Sequence, residues 1–288
     1  MTNTSSAKQY TLTVDCPDRS GVVAAVSTYI SRFGGLILEA SHFREPVENR
    51  SFMRTVFSTS AEETRQTIAA GFAPIAEKFD MTWAIWPREQ KCRVLVAVSK
   101  QDHCLNSMLH RYRSGTLPID IVGVVSNHDN NRRLVEWHGL AFHHLPIETG
   151  RKRDQEQHIL ERFSALDAEL LVLARYMQIL SPEMTAAIAG RCINIHHSFL
   201  PGFRGARPYH QAYERGVKLI GATSHYVTAD LDEGPIIEQA VERVDHSMDP
   251  TRLTEIGNDV ESVVLNRAVR WHAEHRLFVR GNRVVVLT

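Results

Sequence analysis

Apolar and polar positions follow two regimes along this chain, and the change falls near residue 90. In the first, residues 9–15 read as a strand, 21–33 as an apolar helical stretch, and 35–44 and 51–58 as further β-rich stretches. The last of these alternates Phe52, Arg54, Val56, the period of two that a strand shows. A helix with Glu62, Glu63 and Arg65 on its polar face runs to about residue 79, and a strand over 81–87 closes the unit. The order βαββαβ predicts a ferredoxin-like domain over residues 1–87. The charged run Arg88-Glu89-Gln90-Lys91 after Pro87 then serves as a linker, residues 88–91.

Beyond it the pattern alternates short apolar runs with longer helical periods. Residues 94–99, 119–126 and 170–174 are continuous apolar stretches of the kind buried parallel strands show. Ser181-Pro182-Glu183 carries a helix start, with a cap and a proline at the first position. Asp249-Pro250 opens a long helix to about residue 275, and Gly281-Asn282 between apolar runs predicts a closing hairpin. Residues 92–288 therefore predict an α/β domain with a doubly wound, mostly parallel sheet, whose ligands sit at the carboxyl ends of its strands.

Composition changes this picture only by exclusion. The hydrophobic share of 43% and the charged share of 23% are ordinary for globular chains. Lys plus Arg and Asp plus Glu are 33 each, so the basic excess of a nucleic-acid partner is missing. No apolar run approaches the roughly 18 residues of a membrane span, and the first ten residues lack the apolar core of a secretory signal. Cys16, Cys92, Cys104 and Cys192 contain no CxxC pair and read as reduced thiols in a cytoplasmic protein, not as a zinc site.

The densest polar stretch is Asn194-Ile195-His196-His197-Ser198, which follows a strand predicted over 191–195. Period two sets Asn194 and His196 on one face and sends His197 to the other, so the adjacent histidines cannot share a metal. Asn offers an amide donor to a developing oxyanion, and His handles a proton near neutrality. A second polar run, residues 225–235, follows another strand and is acidic and turn-like. Taken singly, a strand-end histidine is more often structural and an acidic loop a solvated turn. Two such clusters after strands of one sheet point instead to a site.

The stretch NIHHSFLPGFRGARPYHQAYERGVKLIGATSHYVTADLDEGPIIEQ resembles the folate-dependent formyltransferase family, which uses 10-formyltetrahydrofolate. NIHHSFLP, GARPYHQAYERG, Ser126-Asn127-His128 and FHHLP are most similar to its hydrolytic branch. The resemblance implies catalytic roles for Asn194, His196 and Asp232, and folate contacts from Met177, Gln178, Ile179, Leu180 and Thr228, with His225 beside them. It implies hydrolysis to formate and tetrahydrofolate, supplying formate to one-carbon metabolism and purine synthesis, with neither cofactor nor metal. Asp232 would remove the proton of water, which requires a raised pKa. Transferase relatives hold the acceptor's phosphate on a glycine-rich loop, but here Ser99-Lys100-Gln101-Asp102 has no glycine and carries an aspartate. An acceptor pocket is therefore not expected. The alternatives are formyl transfer to an unidentified amine and a non-enzymatic folate or amino-acid sensor.

Asp15-Cys16-Pro17-Asp18-Arg19-Ser20-Gly21-Val22 resembles the first loop of an ACT domain. That likeness implies an amino-acid effector at Asp18, Arg19 and Gly21, and a homo-oligomer. His272 and His275 read as a solvated helix face.

Overall fold

The structure, a computed structural model, describes residues 7–60, 62–202 and 208–288. Residues 1–6, read above as no signal, and Gly205-Ala206-Arg207 of the GARPYHQAYERG motif lie outside the described residues.

The chain divides into two compact units at Lys91/Cys92. The first takes β1 (Lys8–Pro17), α1 (Val22–Arg32), β2 (Leu36–Glu45), β3 (Arg50–Thr59), α2 (Arg65–Phe79) and β4 (Thr82–Pro87). They form an antiparallel sheet in the order β2-β3-β1-β4. Alternation fixes its core: Tyr10, Leu12, Val14 and Cys16 of β1 all turn inward and meet Val26 and Ile30 of α1 and Ile68 and Phe72 of α2. Glu62 and Glu63 fall outside α2, contrary to the sequence expectation. Thr64 is the N-cap in extended conformation, and its side chain accepts from Thr67 N in a reciprocal capping box. The segments His275–Phe278 and Val285–Thr288 also belong to this unit. Arg276 donates to Glu39, which also receives the buried Arg54 (2.9 and 2.8 Å). Phe278 packs on Phe52, and His275 stacks on Trp86.

The second unit takes Cys92–Glu274 and Val279–Val284. Its elements begin β5 (Cys92–Val98), α3 (His103–Arg113), β6 (Ile119–Ser126), α4 (Arg132–Trp137), β7 (Phe142–His144) and α5 (Lys152–Ala165). They continue β8 (Leu170–Leu173), α6 (Pro182–Ala187), β9 (Cys192–His196), α7 (Pro208–Glu214), β10 (Leu219–Tyr226), β11 (Ile236–Arg243) and α8 (Pro250–Ala273). A hairpin of β12 (Leu277–Arg280) and β13 (Arg283–Val286) ends the chain, turning at Gly281 with φ 55°. The sheet runs β7-β6-β5-β8-β9 in parallel, then β10 and β11 antiparallel. Leu95, Ala97, Leu171 and Leu173 are fully or nearly fully buried against α5 and α6, as strands covered on both faces require. Ser181 caps α6 by accepting from Met184 N, and Asp249 caps α8 by accepting from Arg252 N.

Strand order reverses at β5, since β6 lies on one side of it and β8 on the other. That is the switch point at which doubly wound sheets open a crevice. No helix among the described residues is long and apolar enough to cross a membrane.

Candidate active site

A cavity of about 310 Å³ opens at the carboxyl ends of β8 and β9. It is lined by Met177, Gln178, Ile179 and Leu180 after β8, Asn194 and His196 at the end of β9, His225 on β10, and Thr228 and Asp232 in the following loop. Every residue to which the sequence resemblance gives a catalytic or folate-contacting role therefore borders one cavity.

Backbone register builds the first part. Asn194 on β9 stands directly opposite His225 on β10. The Asn194 amide Nδ2 lies 3.3 Å from His225 Nε2, while His225 Nδ1 lies 2.9 Å from the Tyr226 carbonyl. A carbonyl only accepts, so Nδ1 carries a hydrogen, and His225 Nε2 faces the Asn194 amide.

The loop brings the carboxylate back. After Tyr226 the chain turns through Thr228, whose hydroxyl donates to the Asp230 carbonyl, and Asp232 adopts the left-handed φ of 57°. Gly234 then passes so close to β10 that a Cβ there would stand 1.7 Å from the Tyr226 carbonyl oxygen. Only glycine permits this approach. It leaves Asp232 Oδ2 3.3 Å from His196 Nδ1 and Oδ1 3.7 Å from His225 Nε2.

Burial works to raise the Asp232 pKa, but hydrogen bonding and charge from His196 and His225 outweigh it and hold the carboxyl well below the ordinary carboxylate range. This corrects the expectation of a raised pKa. An anion so stabilised is a poor base, and it suits orienting an imidazole. His196 Nδ1 faces Asp232, and its Nε2 is buried and has no hydrogen-bond partner among the described residues.

His197 departs from the alternation expected of it. β9 ends at His196, so His197 no longer obeys strand geometry. Its ring stacks on that of His196 with centroids 4.9 Å apart, and it lines the same cavity. His272 is no solvated residue either: its Nδ1 lies 2.7 Å from the Tyr226 hydroxyl, and burial pushes its pKa down to about 4.

A second cavity, about 470 Å³, borders Ser99-Lys100-Gln101 and shares Arg175, Met177, Gln178 and His197 with the first. The absence of glycine in that loop therefore does not remove the space beside it. Lys100, His128 and His210 also line it, while Asp102 does not.

His103, Cys104 and Glu261 bring three possible ligand atoms within 4.8 Å of one another, a grouping that the sequence spacing does not reveal. Their chemistry argues against a metal. Burial pushes the Cys104 thiol well up, and Arg175 already sets its Nε 3.3 Å from the Glu261 carboxylate.

In the first unit, the Asp18 carboxylate is held by Arg44 and by the Ser51 hydroxyl (3.0 Å), and its backbone N–H donates to the Asn49 carbonyl. Arg19 is exposed, and Gly21 caps α1 with φ 90°.

Residues 92–269 match the family described as Formyl transferase. Formyltetrahydrofolate deformylase of Corynebacterium sp. (strain P-1) is 49% identical over 97% of this chain and 98% of its own. The crystal structure of formyltetrahydrofolate deformylase from Burkholderia mallei ATCC 23344 covers 98% of this chain and 100% of its own, at 50% identity with a TM-score of 0.92. Glycinamide ribonucleotide transformylase 1 from Symbiobacterium toebii matches less of the chain, 69%, at 32% identity and a TM-score of 0.64.

Proposed function

This chain belongs to the formyltetrahydrofolate deformylases within the formyl transferase family, and from that membership we propose that it hydrolyses 10-formyltetrahydrofolate to formate and tetrahydrofolate. The observation that carries the reading is the convergence of Asn194, His196 and Asp232 on a cavity whose far wall is Met177–Leu180. Met177, Ile179 and Leu231 expose apolar surface around it, which suits the flat aromatic body of a folate.

In the proposed reaction His196 Nε2, without a partner among the described residues and oriented by Asp232, takes a proton as water attacks the formyl carbon. The oxyanion that forms is met by the second N–H of the Asn194 amide and by the new imidazolium. Collapse breaks the carbon–nitrogen bond. His196 returns the proton to the leaving nitrogen, and formate and tetrahydrofolate result. Asp232 stays ionised throughout and favours the imidazolium, a role that its lowered pKa supports. His225 fixes the amide of Asn194. No step calls on a metal or cofactor.

The deciding experiment incubates pure protein with 10-formyltetrahydrofolate and no amine, and measures formate and tetrahydrofolate. Catalytic appearance of both supports hydrolysis. The cavity beside Lys100 gives room for a second substrate, so turnover only when an amine is added would turn the reading to formyl transfer.

The first unit we read as an ACT domain, on its βαββαβ order and its loop at Asp18, Arg19 and Gly21. It supports an amino-acid effector and a homo-oligomer, and residues 88–91 serve as the connection.

A further inference from the structure

We propose that Glu261 is a positioning residue for folate binding: from α8 it clamps Arg175, and Arg175 sets the start of the cavity wall at Met177. The proposal rests on the reading that this cavity takes a formylated folate.

Glu261 lies in the middle of α8 and exposes no surface. A buried carboxylate is tolerated only with partners, and Glu261 has three. The Tyr209 hydroxyl donates at 2.6 Å, His103 Nε2 lies at 2.8 Å, and Arg175 Nε at 3.3 Å. Against the cost of burial, His103 and Arg175 hold its carboxyl below the ordinary range, so it meets Arg175 as an anion. Glu261 itself borders neither cavity. Whatever it does for the site passes through a neighbour.

Arg175 is that neighbour, and its backbone is unusual. It is a buried, non-glycine residue at φ 62°, the left-handed region, which persists only where surroundings impose it. Its contacts impose it. Arg175 Nε donates to Gln101 Oε1 at 2.9 Å as well as facing Glu261, and the Arg175 carbonyl accepts Ser99 N at 3.2 Å. Two residues on, Met177 N donates to Ser99 Oγ at 3.0 Å. The chain is thus pinned on both sides of Tyr176, and the segment that leaves this clamp is the one lining the cavity. Arg175 also borders both cavities, so a shift of its side chain alters the wall directly.

The test uses the full chain. Glu261→Gln keeps volume and leaves atoms for Tyr209 and His103, but removes the charge that faces Arg175. A clamp acting on binding predicts KM for 10-formyltetrahydrofolate and Kd for tetrahydrofolate each raised about tenfold or more, the scale of a charged hydrogen bond, with kcat within about threefold. Arg175→Gly admits the left-handed backbone without strain yet lacks the guanidinium, and should raise KM similarly. If Glu261→Gln does not fold, the double variant Arg175→Gln/Glu261→Gln removes both charges together and should show the same rise in KM. Folded variants with wild-type KM and Kd would overturn the clamp. So would a fall in kcat with KM unchanged, which would place Glu261 in the chemistry. Failure of the wild-type chain to bind tetrahydrofolate would instead remove the functional reading beneath the proposal, and the two failures are distinguishable.

Discussion

Asp232 faces His196 with Oδ2 3.3 Å from Nδ1, and this one contact assigns the two groups different work. The carboxylate is held ionised by the histidines beside it, and the imidazole is left with a buried Nε2 that has no partner among the described residues. Asp232→Asn keeps the volume but removes the charge and the preference for Nδ1–H. Turnover should fall at least about 10³-fold while tetrahydrofolate still binds. Steady-state kinetics with a binding titration checks this, and near-normal kcat would show that the pairing has no catalytic role.

Asn194→Ala removes one oxyanion donor and should cost about 10²–10³-fold in kcat. His196→Ala should cost at least as much, because it loses both the proton carrier and a charge. If both variants change KM alone, they are binding groups and the proton route above is wrong.

Gly234→Ala tests the loop that delivers the carboxylate. The added Cβ would fall 1.7 Å from the Tyr226 carbonyl oxygen and 3.2 Å from His225 Nδ1, and the first of these is backbone that cannot step aside. The loop must move, carrying Asp232 from His196. A displacement near 1 Å costs on the order of 10²-fold in rate, so kcat should drop by about that much in a chain that still melts cooperatively. Wild-type kcat would mean that the loop reaches its working position some other way.

The strands of the first unit, β5, β6 and β8 of the second, and the capped starts of α6 and α8 were legible because each rests on local pattern: alternation at Phe52, Arg54 and Val56 in β3, apolar runs in β5, β6 and β8, and Ser181 or Asp249 before a proline. Asn194 and His196 were legible as i, i+2 residues on a strand. The position of His197 was not, because alternation holds only while the strand lasts and β9 stops at His196. The lowered pKa of Asp232 was hidden too, since it comes from His196 and His225 on two different strands. The Glu261 network was illegible for the same reason: His103, Arg175, Tyr209 and Glu261 are far apart in sequence and meet only after folding. Gly234 carried a signal, a glycine inside a turn-like run, but nothing local told that its neighbour would be the Tyr226 carbonyl.

His272 predicts an acid-sensitive step in stability. Its pKa falls from the ordinary 6.5 to about 4 in the folded chain because burial opposes its charge. Below pH 6.5 the unfolded chain takes up a proton that the folded chain refuses until about pH 4, so stability is lost as pH falls across that window. The loss from this group is on the order of 1–3 kcal/mol. His272→Gln keeps an acceptor for the Tyr226 hydroxyl and does not titrate. Its melting temperature should therefore fall less steeply than wild type between pH 6.5 and 4, and parallel curves would dismiss the assignment.

The last prediction concerns removal of the first unit. Deleting residues 1–88 takes away the sheet whose Glu39, Phe52 and Trp86 receive Arg276, Phe278 and His275. Those C-terminal residues then lose these contacts, and the apolar Phe278 is left in water, while Arg276 keeps its donation to the Leu287 carbonyl. A chain from Glu89 to Thr288 keeps every residue lining the active-site cavity, so it should retain kcat within about tenfold where it folds, because the second unit carries its own core. It should nevertheless melt lower than the full chain and associate more readily. Trimming the end at Glu274 would not restore it, since Val279–Val284 belongs to the second unit and β13 pairs with β11 at Ile236 and Arg283. Replacing Phe278 and Arg276 by Ser in the shortened chain should reduce the association without altering kcat. Light scattering, thermal melts and turnover across a panel of amino acids measure each part. Any amino-acid response of the full chain should vanish in the shortened one, and should weaken in Asp18→Ala, which frees Arg44 and Ser51 from the loop before α1. A folded, shortened chain that keeps the response places the effector in the second unit, and one that folds without turnover shows that the first unit serves the chemistry.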